Sequence, residues 1–153
     1  MITRRTIVSL LPVLLAAGCA SGPAAPGVLT LTINAGANQN PDTAGQPAPV
    51  AVRLYQLSAT GSFESADVFS LIDHEAATLG QQEAVPSEQF VIAPGQKRVI
   101  TRTLHAGVQA IGVAVLFRDI DHATWRVHAA AAASGPTKLM LTTAGIVAKL
   151  SAG

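Results

Sequence analysis

Two aspartates, two histidines and a tryptophan crowd into LFRDIDHATWRVH, residues 116–128 of this 153-residue chain. Asp119, Asp121, His122 and His128 are oxygen and imidazole donors, the types that hold a divalent metal or move protons. Their spacing weighs against that chemistry. Phe117 and Trp125 belong to flanking segments that alternate strictly, so Arg118 to Thr124 read as the hairpin joining two strands, where short polar side chains are favoured. Alternation puts Asp119 and Asp121 on one side and His122 elsewhere, and no HExxH or paired-cysteine spacing is present. Residues 118–124 therefore read as a turn, with Trp125 as a core anchor and Arg118 as an ion-pair partner of Asp119 or Asp121.

The remaining candidates for catalysis are weaker. Ser58, Ser62, Ser65 and Ser70 lack the GxSxG context of a nucleophile elbow. His74 and Glu75 read as solvated groups at a helix end, and His105, close to Gly107, as a turn residue. The sequence contains no constellation that reads as a catalytic, metal or cofactor site.

Those segments are positioned by strands. In VLTLTIN, Leu29, Leu31 and Ile33 alternate with Thr30, Thr32 and Asn34, the period of a half-buried strand. VAVRLYQL (residues 50–57) sets Val50, Val52 and Leu54 on one face. EQFVIAPGQKRVITRTL gives two strands around Pro94-Gly95. In AIGVAVLF (residues 110–117) large residues face one side and mostly small ones the other, as in a central strand covered on both faces. TWRVHAA and TKLMLTTAGIVAKL supply the rest. FESADVFSLIDHEAATLG, in contrast, carries Val68, Phe69, Leu71 and Ile72 at helical spacings, with Ser62 or Ser65 as caps and Gly80 as a stop. About eight short strands with turn signals between them make this a mainly β, antiparallel β-sandwich over residues 28–153, with a helical insertion near residues 62–80.

The N-terminus is of another kind. Arg4 and Arg5 precede an uncharged stretch too short to span a bilayer, so residues 1–18 read as a cleaved signal peptide. The run Leu15-Ala16-Ala17-Gly18-Cys19 resembles a bacterial lipobox, which implies lipid on the thiol of Cys19. Cys19 is the only cysteine, so no intrachain disulfide competes for it. Residues 19–27, small and rich in Pro and Gly, read as a lipidated flexible tether. Ala20 stands where an aspartate retains many lipoproteins at the inner membrane, so by resemblance to sorted lipoproteins the outer membrane is expected. Cleavage removes two of ten basic residues and no acidic one, leaving 8 against 9. With these charges scattered singly, a nucleic-acid partner is not expected.

One segment fits neither strand nor helix. AGANQNPDTAGQPAP, residues 35–49, has three prolines and no apolar period. Loops this long in compact domains are usually functional or disordered.

Taken in order after the lipobox, NPD…GQPAP, VAVRLYQL, FESADVFSL, Leu79-Gly80, Pro94-Gly95 and GVAVLFRDIDHATWR resemble the type VI secretion lipoprotein family called TssJ, VasD or SciN. The resemblance covers nearly all of the mature chain. It implies a non-enzymatic protein with a transthyretin-like β-sandwich, anchored by lipid in the inner leaflet of the outer membrane and facing the periplasm. It further implies binding to the periplasmic C-terminal part of TssM, and through it to the TssL-TssM inner-membrane complex. The loop between the first two strands is implied as the partner-contacting element. Here that assigns Asn38, Gln39, Asn40, Pro41, Asp42, Thr43, Gln46 and Pro47; where family members often carry Arg and Ser, this chain has Gln46 and Ala48. From a different class, a periplasmic carrier or enzyme on the same sandwich, using a metal at residues 119–128, is the alternative. A structural envelope lipoprotein unrelated to secretion is a third.

Overall fold

The computed structural model describes Gly18 and residues 25–153. Cys19, the rest of the signal segment and most of the tether lie outside the described residues. In β1 (Gly27–Ala35) Leu29, Leu31 and Ile33 are fully buried while the threonines between them are half-buried, as period two demands. β2 (Val50–Leu57) turns Val50, Val52 and Leu54 toward the same core. β3 (Glu83–Ile92), β4 (Lys97–Thr103), β5 (Ala110–Leu116), β6 (Arg126–Ala130), β7 (Gly135–Ala144) and β8 (Val147–Ala152) complete eight strands. They form two four-stranded sheets, ordered β4-β1-β7-β8 and β3-β2-β5-β6.

The chain reverses at each connection, so odd-numbered strands run one way and even-numbered strands the other. β1 and β7, both odd, are therefore parallel where they meet. That is the departure from the antiparallel pairing expected; the other strand pairs are antiparallel. The Pro94-Gly95 turn carries the chain from one sheet to the other, because β3 pairs with β2 and β4 with β1. This lets Ile92 and Ile100 enter one core from opposite sides.

β5 is covered on both faces. Ile111, Val113 and Val115 point between the sheets, while Ala110 and Ala114 point outward under the insertion. Gly112 shares that outer face: a Cβ there would stand 2.9 Å from Phe63 Cζ and 3.0 Å from Leu57 Cδ1. The insertion is α1 (Gly61–Ser65), α2 (Val68–Asp73) and α3 (Glu75–Leu79), closed by a 3₁₀ turn at Gly80–Gln82. Phe63, Leu71 and Leu79 are buried with Tyr55 and Leu57 in a second core, where the Tyr55 and Phe63 rings tilt at 5.2 Å.

Ser62 and Ser65 are not the caps. Both lie within α1, and Asp67 caps α2 by accepting from Ser70 N at 2.9 Å. A carboxylate on extended backbone satisfies an orphan N–H and complements the helix dipole better than a hydroxyl. At the other end of α1, Arg126 Nη1 donates to the Phe63 and Ala66 carbonyls.

Glu75, expected to be solvated, is instead the bolt of the insertion. Its carboxylate pairs with Arg53 Nη1 at 3.0 Å and accepts from Ser87 N at 2.8 Å and Ser87 Oγ at 2.6 Å. His74 is exposed beside it. Burial pushes Glu75 upward, but hydrogen bonds from Glu83 and Ser87 and the Arg53 charge outweigh it and hold it low. Glu83 takes the opposite course: burial, then the hydrogen bond and charge of Glu75, push its carboxyl up to about 8. Glu83 Oε1 is enclosed without a donor, as suits a carboxyl that keeps its proton.

The folded protein thus retains a proton that the unfolded chain releases above the ordinary value of 4.5. The resulting stabilisation is full below 4.5 and is lost as pH rises through about 8. Glu83→Gln, neutral at every pH, should gain stability relative to the parent as pH rises from 5 to 9. Urea midpoints across that range would show it, and a pH-independent difference would contradict a shared proton.

Candidate protein-docking site

Strand parity places four connections at one end of the sandwich: residues 36–49, the Pro94-Gly95 turn, the β5–β6 turn and the β7–β8 turn. The N-terminal attachment at Gly27 lies at the other end, as β1 runs between them. The loop of residues 36–49 leaves β1 through Gly36, whose N–H bonds Thr143 O at 2.8 Å. A Cβ at Gly36 would fall 2.3 Å from that oxygen, so the approach requires glycine.

Gln39 and Asn40 then turn inward. Gln39 is fully buried; its Nε2 donates to Ile92 O at 2.8 Å and its Oε1 accepts from Thr143 Oγ1 at 2.7 Å. Asn40, 4 % exposed, adopts φ 49°, a left-handed conformation asparagine tolerates better than most residues. Its N–H bonds Gly145 O at 2.7 Å, its Nδ2 donates to Pro49 O at 2.8 Å, and its Oδ1 accepts from Arg118 N at 2.8 Å. One side chain and its own amide thereby tie the β1–β2 loop to the β5–β6 and β7–β8 turns. Asn38 Oδ1 adds a bond from Gly145 N at 3.2 Å.

The tip closes on itself. Asp42 Oδ1 accepts from Ala44 N and Gln46 N, both at 2.9 Å, and Asp42 N donates to Gln46 O at 2.8 Å. Gly45 supplies φ 78° within this turn. The eight residues assigned from sequence therefore divide. Gln39 and Asn40 are spent on internal bonds and cannot reach a partner in this conformation. Pro41 and Asp42 are half-buried, and Asn38, Thr43, Gln46 and Pro47 are exposed. An open groove of about 540 Å³ lies beside the tip, walled by Pro41, Thr43, Arg118, Asp119 and Ile146. The share of Arg118, Asp119 and Ile146 in this surface was not read from sequence, although counting strand reversals puts their turns beside the loop.

The four possible metal donors are not assembled. His122 Nδ1 lies 2.7 Å from Asp119 Oδ1, both well exposed, whereas His128 Nε2 lies 2.6 Å from Glu64 Oε1 on α1. Strand alternation wrongly separates His122 from Asp119. Residues 120–122 form a 3₁₀ turn, which brings positions three apart together. The hydrogen bond and then the charge of Asp119 raise the His122 pKa. Arg118 does not pair with Asp119 or Asp121; its amide is held by Asn40. Among the described residues, no group of three or more His, Cys, Asp or Glu gathers as a metal site. Trp125 is half-buried against both cores, with the Arg126 guanidinium 4.7 Å from its ring centre.

Comparison with known proteins follows the same lines. Residues 28–145 match the family described as type VI secretion lipoprotein, VasD, EvfM, TssJ. No curated protein matches the sequence significantly. Among solved structures, the T6SS lipoprotein TssJ1 from Pseudomonas aeruginosa is similar at 34 % identity and a TM-score of 0.80, over 84 % of this chain and 97 % of that one. Serratia marcescens Lip, a membrane-bound component of the type VI secretion system, is similar in fold at 24 % identity and 0.74, over 84 % and 98 %. A chain in a structure of the T6SS protein TssM C-terminal domain from EAEC is similar at 27 % identity and 0.67, over 80 % and 99 %. With its match across residues 28–145 and its shared two-sheet fold, the chain belongs to the type VI secretion lipoprotein family of TssJ and VasD.

Proposed function

We propose that this lipoprotein anchors a type VI secretion envelope complex to the outer membrane by binding the periplasmic C-terminal part of TssM. Cys19 carries the lipid, the chain faces the periplasm from the inner leaflet, and TssM links it to the TssL-TssM inner-membrane complex. The role is non-enzymatic and needs no cofactor beyond the covalent lipid.

The observation that carries the proposal is the rigid loop tip at the end opposite the tether. A tip fixed before binding loses little conformational entropy on docking. Pro41 and Pro47 offer stiff apolar surface, Asn38, Thr43 and Gln46 offer hydrogen bonds, and Asn40 holds the tip without touching the partner. The occurrence of a similar chain in a structure of the TssM C-terminal domain supports the choice of partner.

Titration of the full-length chain in detergent micelles with the periplasmic part of TssM from the same organism tests this. The parent should bind saturably. Deleting Asp42–Gln46 should abolish binding while leaving the fold intact, because the bond from Asp42 N to Gln46 O brings the cut ends together. Asn40→Ala should cost about 1–3 kcal/mol of stability, the usual cost of leaving buried partners unpaired, and should weaken binding as well. Unchanged affinity in both variants would remove the loop from the mechanism. Cys19→Ser should move the protein from the membrane to the soluble fraction; continued co-fractionation with outer membranes would refute lipidation.

A further inference from the structure

We infer that the apolar groove beside Phe69 is a second contact for the partner that docks on the loop, receiving an apolar side chain flanked by basic residues. The inference rests on the docking role proposed above. Phe69 is 70 % exposed, the most exposed large hydrophobic residue among those described. Its position follows from α2: Leu71 of the same short helix is fully buried, and two residues of helical rotation turn Phe69 away from that core. With Val68, Ile72, Phe117 and Ile120, Phe69 lines an open groove of about 320 Å³.

Three observations name the occupant. The first is continuity: Arg118 and Asp119 wall the loop groove while Phe117 and Ile120 wall this one, so one four-residue segment borders both. The second is size. A stable interface engages roughly 20–30 residues a side, and the tip from Pro41 to Pro47 offers seven. A partner seated on the tip must therefore spread over adjacent surface, and this groove is apolar surface adjacent to it. Buried apolar anchors in such pockets carry most interface energy. The third is charge. Asp73 lines the groove, and Asp42 and Asp119 line the neighbouring loop groove, against Arg118 and, when protonated, His122, which pairs with Asp119. This surplus of carboxylates favours basic residues beside the entering side chain.

The test uses the full-length chain in detergent micelles and the periplasmic part of TssM, with thermal unfolding as a control on each variant. Phe69→Ser should weaken binding at least tenfold at unchanged Tm, since the side chain supports little of the core. Asp73→Lys should also weaken binding and flatten its dependence on salt. If both variants bind like the parent while deletion of Asp42–Gln46 abolishes binding, the groove is not a contact and only the loop role stands. If Phe69→Ser instead leaves TssM binding intact and changes the oligomeric state of the free chain, the occupant is a second copy and the inference is overturned. Absence of binding by the folded parent chain would overturn the inference together with the docking role.

Discussion

The sheet built from β3, β2, β5 and β6 has to bury both of its faces, and much of the molecule follows from that. Facing the other sheet it offers Val52, Leu54, Ile111, Val113 and Val115. Its outer face carries Tyr55, Leu57, Ala110 and Ala114, too apolar to leave in water. The insertion between β2 and β3 exists to cover that face. Three short helices of five, six and five residues are marginal alone. They hold because Phe63, Leu71 and Leu79 reach the sheet, and because Ala110, Gly112 and Ala114 leave room for them. Polar contacts then fix the register: Arg53 with Glu75 and Ile72 O, and Arg126 with the end of α1.

At the loop end the same logic operates with polar groups. A connector of fourteen residues between sheets would ordinarily be solvated and mobile. Here Gln39 and Asn40 carry their amides inside, and each buried amide must find partners because an unmet hydrogen bond costs more than a met one contributes. Those partners sit on β3, β7 and the β5–β6 turn, so satisfying two side chains orders three segments at once, and the Asn40 backbone N–H adds the β7–β8 turn. The exposed residues of the tip inherit that order.

Local patterns were legible in the sequence and long-range pairings were not. The alternation of Leu29, Leu31 and Ile33, the large-and-small rhythm of β5, and the helical spacing of residues 68–72 depend on neighbours along the chain, and the structure keeps them. Asp67 as a cap was missed because Ser62 and Ser65 have equal claim by type; the backbone decides, and Asp67 alone is extended at a helix start. The inward turn of Gln39 and Asn40 was illegible for a different reason. Thr143 is 104 positions from Gln39, and Arg118 is 78 from Asn40, so no local feature marks the two as internal. Glu75 likewise reads as a surface helix residue until β3 brings Ser87 against it. Period-two reasoning failed at His122 because a 3₁₀ turn replaced extended chain.

Under the proposed role, with lipid at Cys19 and a partner on the loop, the chain bears load between the two. Residues 20–26, if fully extended, reach at most about 25 Å from a lipid at Cys19. β1 adds nine residues, about 30 Å, before the loop begins. Under the proposed role, tension between lipid and partner runs along β1 from Gly27 to Gly36. β1 is a central strand, paired over seven positions with β4 and over nine with β7. Force along the strand axis must shear those two ladders together rather than open them one bond at a time. An edge strand in that place would have one ladder to lose. Tether and loop flank β1 in the chain, so they attach at opposite ends of the strand that is paired over the most positions in its sheet.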